Sequence, residues 1–98
     1  MSIVVRYIPE FIDDFNKFSE HDKTLIRTAI NKLREKPFSK NEGGYGNIVS
    51  IGLSGDLMSV KIIFTDIRIV YKLIKSKDSN SVLLIFASVL NDVTRSVL

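Results

Sequence analysis

The chain has 98 residues, 45% apolar and 26% charged, a balance that excludes a disordered chain and supplies material for one hydrophobic core, hence one domain over residues 1–98. It contains no cysteine, which excludes disulfides and thiolate zinc sites, and its longest apolar run, Val82 to Ala87, is far too short to cross a bilayer. The net charge of +3 is weak for polyanion binding but unevenly spread, with five acids around Lys17 between Glu10 and Asp22 and five cations around Asp66 between Lys61 and Lys77.

Arg6 interrupts the apolar start "MSIVVRY" before any long apolar stretch develops, so a cytoplasmic protein without membrane association is expected. Val4 and Val5 predict a first strand, and Pro9 suits the first turn of a helix, where its missing N–H is no loss. Phe11, Ile12, Phe15 and Phe18 then recur at helical spacing. Ser19, followed three residues later by Asp22, predicts the cap of a second helix with the apolar stripe Leu25, Ile26, Ala29, Ile30 and Leu33. Pro37 ends that helix, and "PFSKNEGGYGN" reads as a loop.

Strands follow. "NIVSIGL" leads through Ser54-Gly55-Asp56 into "LMSVKIIF", Thr65-Asp66 turns that strand into "IRIVYKLI", and "SKDSN" turns again into "SVLLIFAS". Asn91 or Asp92 can cap a short terminal helix carrying Val93 and Val97. The order β-α-α-β-β-β-β predicts an α+β fold, an antiparallel β-sheet with two N-terminal helices packed on one face.

A tight turn at Thr65-Asp66 pairs Phe64 with Ile67 and places Lys61 opposite Val70. Met58, Val60, Ile62 and Phe64 then share the core face with Ile67, Ile69, Tyr71 and Leu73. The other face carries Ser59, Lys61 and Ile63 beside Arg68, Val70 and Lys72. Arg68 and Lys72 are thereby the diagonal neighbours of Lys61, at roughly 7–8 Å between backbones, within reach of a shared anion. Cations on an open sheet face are commonly only solvated; three converging on one patch also suit a phosphate or an RNA backbone.

Other polar features carry less chemistry. His21 precedes a helix among acids and is expected to be solvated or capping. "GGYG", Gly43 to Gly46, matches no phosphate-binding fingerprint and reads as a mobile loop, with Tyr45 as a base-stacking candidate. Glu10, Asp13 and Asp14 read as a solvated helix face rather than a metal site, because adjacent carboxylates on a helix diverge. No metal or small-molecule cofactor is expected.

The stretch "LSGDLMSVKIIFTDIRIVYKLI", with a lysine seven residues before Arg-x-Val-Tyr and preceded by two helices and a glycine-rich loop, resembles the RelE/ParE toxin superfamily of type II toxin-antitoxin systems. That resemblance covers nearly the whole chain in element order. It implies either a ribosome-dependent endoribonuclease that cuts mRNA or a DNA gyrase inhibitor, in both cases neutralised by a cognate antitoxin, and a degenerate toxin retaining only antitoxin binding is a third alternative. Lys61 matches the second lysine of the ribonuclease branch's Lys-x-Lys, Arg68 the arginine of the next strand, and Tyr71 a structural aromatic. Ser59 stands where that branch has its first lysine, Leu90 where it has an arginine, and Ser96 where it has a terminal tyrosine. Arg95 is the candidate replacement for a lost cation.

The catalytic pair implied is Lys61 as base for the 2′-OH and Arg68 as brace for the phosphorane, with Lys72, Lys75, Tyr45 and Arg95 as RNA-binding residues. No general acid is evident in the sequence, so ribosomal groups would supply that part.

Overall fold

The computed structural model describes residues 3–39, 43–44, 47–51, 56–77 and 79–89. Strand β1 (Val4–Tyr7) leads into helices α1 (Pro9–Asn16) and α2 (Glu20–Glu35), followed by β2 (Ile48–Ile51), β3 (Leu57–Lys61), β4 (Ile67–Lys75) and β5 (Asn80–Val89). The sheet order is β1-β5-β4-β3-β2. Strands β2 to β5 form an antiparallel meander, and β1 joins its far side parallel to β5. The sheet is therefore mixed, closed by a first strand that finds its partner at the opposite end of the chain.

The helices begin as the sequence predicts. Pro9 occupies the first turn of α1, and Ser19 caps α2 by accepting a hydrogen bond from the Asp22 amide at 3.2 Å. Phe11, Ile26 and Leu33 are buried against Met58, Val60, Ile69, Tyr71, Leu73, Val82 and Leu84, so both helices cover one face of the sheet. Phe15, Phe18, Leu25, Ala29 and Ile30 pack around this centre. Tyr71, with 0% exposure, sits at its middle and donates its hydroxyl to the Pro37 carbonyl at 2.7 Å, tying the residue that ends α2 to the sheet. Burial pushes the Tyr71 phenol well above its ordinary range, since a phenolate would lose its water there.

Asp14 departs from the solvated role expected of it. Its Oδ2 accepts the backbone N–H of Ala87 at 3.2 Å, beyond the point where β1 stops covering β5. The acid satisfies an edge donor that the short first strand leaves open.

The β3–β4 hairpin differs most from expectation. Lys61 lies directly opposite Arg68, not Val70, and the ladder closes with the Ile62 amide donating to the Ile67 carbonyl at 3.0 Å. The loop is thus four residues, Ile63 to Asp66, instead of two. A two-residue hairpin turn needs positive φ at its centre, and β-branched Thr65 is ill suited to it. Thr65 instead braces the wider loop, its hydroxyl donating to the Ile62 carbonyl at 2.8 Å and accepting from the Ile67 amide at 3.1 Å. The register slides by two residues, which leaves every strand residue on its expected face. Phe64, however, leaves the core altogether: it is 100% exposed, at φ +66°.

The terminal helix expected from Asn91 or Asp92 through Val93 and Val97, and the Ser54-Gly55 turn, lie outside the described residues. Among the described residues no helix is long and apolar enough to cross a membrane.

Candidate nucleic-acid interface

The sheet face away from the helices carries the cations. Directly opposed residues on neighbouring strands point to the same side, so the pairings Lys61↔Arg68 and Arg68↔Ser88 align three polar side chains in one row across β3, β4 and β5. The next row is Val49, Ser59, Val70 and Phe86, and the one after it Ile51, Leu57, Lys72, Leu83 and Arg6. Lys61, Arg68 and Ser88 thus end a face whose other polar members in these rows are Ser59, Lys72 and Arg6.

Each member of the first row is held by its surroundings. Asn47 brackets the Lys61 backbone, its Nδ2 donating to the Lys61 carbonyl at 2.7 Å while the Lys61 amide reaches the Asn47 carbonyl at 3.3 Å. The Lys61 side chain itself is exposed. Arg68 is half-buried, and its guanidinium donates to the Ser59 hydroxyl at 3.1 Å. Ser59, only 1% exposed, is therefore an anchor for the arginine in the position where the resemblance implies a lysine. Two buried polar atoms beside it have no hydrogen-bond partner: Nε of Arg68 and Oγ of Ser88. A buried donor and a buried hydroxyl left without partners are costly to the fold.

Ser88 reaches this row through a β-bulge. Val70 pairs with Phe86 but Tyr71 pairs with Leu84, so Ile85 has no partner on β4. Strict alternation would put Ser88 on the core side with Val82 and Leu84. The extra residue inverts the alternation, sending Ala87 into the core and Ser88 outward. Sequence reasoning missed Ser88 for this reason, and missed Asn47 because a side-chain bracket on a distant backbone leaves no periodic signal.

Among the other expected site residues, Lys72 shares the face but stands two positions along β4, opposite Leu57, with its Nζ 3.8 Å from Asp56 Oδ2. Both partners are well exposed, so that pair is weak and leaves the ammonium accessible. Lys75 belongs to the opposite side: it alternates with Tyr71 and Leu73 and is not brought together with Lys61 and Arg68. Tyr45, Arg95, Leu90 and Ser96 lie outside the described residues. His21 is exposed on α2. Among the described residues no group of three or more His, Cys, Asp or Glu side chains could hold a metal.

A second feature lies on the helix side. A groove of about 530 Å³ runs between α1, α2 and β1, floored by Val5, Phe11, Phe15, Ile30 and Leu84 and flanked by Arg27 and Arg34. Arg27 stacks over the Phe15 ring at 5.1 Å, with Lys23 at 5.7 Å from the same ring. No carboxylate lines it.

The architecture has close counterparts among solved structures. A YoeB/ParE toxin from Agrobacterium tumefaciens superposes with a TM-score of 0.67 at 16% identity, covering 89% of this chain and 98% of that one. The archaeal RelE-RelB complex from Pyrococcus horikoshii matches with a TM-score of 0.70 at 13% identity over 92% of this chain and 97% of that one. The chain has the RelE/ParE toxin fold. The toxin-antitoxin complex RelBE2 from Mycobacterium tuberculosis gives a TM-score of 0.57 at 13% identity, covering 91% and 99% of the two chains. No sequence family and no curated protein matches the chain. The RelE/ParE fold is thus recognised through its element order and sheet topology, with little sequence identity left.

Proposed function

We propose that this protein is the toxin of a toxin-antitoxin pair and that its Lys61–Arg68–Ser88 row engages the backbone of mRNA on the ribosome, cutting it without a metal. The observation that carries this reading is the Lys61↔Arg68 pairing, with Arg68 Nε and Ser88 Oγ both unpartnered beside it. A phosphate over this row would meet the exposed Lys61 ammonium first, and Arg68 Nε and Ser88 Oγ, both enclosed, would join it only once their cover opens.

In the cutting step Lys61 is the side chain placed to accept the proton of the 2′-OH. The 2′-oxygen attacks phosphorus, Arg68 and Ser88 brace the negative phosphorane, and the 5′-oxygen leaves with a proton drawn from a ribosomal group or water. Removing a single oxyanion donor costs about 3–4 kcal/mol in such a step. Lys72 extends the positive strip along the RNA.

The partner that restrains the toxin is a cognate antitoxin. Two of the similar structures are toxin-antitoxin complexes, and the groove beside Arg27 and Arg34 combines an apolar floor with unopposed cations, a match for an acidic, amphipathic segment that orders on binding. The protein would act in the cytoplasm, where its targets are.

Purified protein added to a translation reaction, with cut sites mapped on the mRNA, tests the assignment. Arg68→Ala is expected to lower cleavage by at least a hundredfold. Intact mRNA together with accumulated gyrase-DNA breaks would instead identify the gyrase inhibitor, a reading favoured by one observation: Ser59, where the ribonuclease branch has lysine, is buried and committed to Arg68.

A further inference from the structure

We infer that Phe64 is a base-stacking residue, presented at the tip of the β3–β4 hairpin to hold a nucleobase next to the phosphate gripped at Lys61 and Arg68. The inference rests on the nucleic-acid reading of that row. Phe64 is the single non-glycine residue with positive φ among the described residues, at +66°, and its side chain is 100% exposed. Both features work against the fold. A glycine or asparagine would adopt this backbone more easily, and a phenyl ring in water gains nothing from burial.

The loop is nevertheless rigidly specified. The Thr65 amide and hydroxyl both donate to the Ile62 carbonyl, at 3.1 and 2.8 Å, and the Ile67 amide donates to the Thr65 hydroxyl at 3.1 Å. Backbone strain held by an over-determined loop, next to a candidate site, is the pattern of a residue kept for what it meets. Its neighbour Ile63, 59% exposed, borders a small apolar groove with Leu25, Ala29, Val60 and Ile62, whereas the Phe64 ring, fully exposed, stands clear of other side chains.

Position favours a base as the occupant. The Lys61–Arg68 pair closes the ladder next to Ile62 and Ile67, placing the tip two to three residues farther, roughly 7–10 Å along the strand direction. A strand of RNA whose phosphate rests on the cations has a neighbouring base within that distance. Stacking accepts any base, since each has a π-face.

The test uses the full chain and a short single-stranded RNA that carries 2-aminopurine and 2′-O-methyl groups, so that it binds without being cut. Wild-type protein is expected to quench the 2-aminopurine fluorescence. Phe64→Gly should abolish the quench and weaken binding about ten-fold, while its melting temperature stays equal or rises, and Phe64→Trp should retain both signals. If Phe64→Gly binds and quenches as wild type does, or if it weakens only a protein complex, the inference is overturned. Quenching that depends on Phe64 in a protein that leaves mRNA intact would uphold the inference while removing the ribonuclease reading.

Discussion

Arg68 and Ser59 show how one residue's chemistry depends on its neighbour. Ser59 is small, buried and hydrogen-bonded to the guanidinium, so Ser59→Lys, which restores the residue implied by the resemblance, is expected to destabilise the fold by about 2–4 kcal/mol by forcing a second cation into a closed position beside Arg68. Thermal denaturation checks this, and an unchanged melting temperature with higher activity would contradict it. Tyr71 carries a separate expectation. Its phenol stays neutral in the fold while an unfolded chain ionises it near pH ~10, so its contribution is whole below that pH and is lost as pH rises beyond it. Denaturant titrations between pH 8 and 11 should show stability falling at the alkaline end, and Tyr71→Phe should flatten that fall while costing about 1 kcal/mol at neutral pH through the unpaired Pro37 carbonyl. That Lys61 and Arg68 share one face was legible from strand alternation alone, because a slip of two residues preserves sidedness, while their direct pairing was not. Ser88 was not legible, since a bulge has no signature in a run as uniformly apolar as "SVLLIFAS".

Among the elements, helices announced themselves and turns did not. Pro9, Ser19 and the stripe from Leu25 to Leu33 each act through local geometry, so their positions in the sequence were enough. Ser19→Ala should lower stability by about 1 kcal/mol, measured by urea unfolding, because the Asp22 amide loses its acceptor. The β3–β4 loop depended on Thr65 making hydrogen bonds to both sides, a choice between a two-residue and a four-residue turn that composition does not decide. Thr65→Val should therefore loosen the hairpin, and hydrogen exchange of the Ile62 and Ile67 amides should quicken relative to those in the middle of β4.

Across the whole molecule, charge and fold divide the labour. The α+β order and the helices on one face followed from hydrophobic periodicity, whereas the parallel docking of β1 on β5 did not, because a four-residue strand carries no marker of its partner. Lys61, Arg68 and Lys72 share the side of the sheet away from the helices, so RNA binding there should weaken with salt. With Lys61, Arg68 and Lys72 each neutralising one phosphate, the logarithm of the binding constant should fall with a slope of about 2 against the logarithm of salt concentration. A slope near zero in a fluorescence titration would dissociate the positive face from binding.

The seating of β1 has a consequence for biosynthesis. Its one neighbour in the sheet is β5, with Val4 meeting Ser81, so β1 leaves the ribosomal tunnel well before its partner and waits for it, and the sheet is complete only once β5 has been made. A cell making such a protein handles an unfinished sheet for most of the synthesis time, and a partner that recognises the closed architecture has nothing to seize until then.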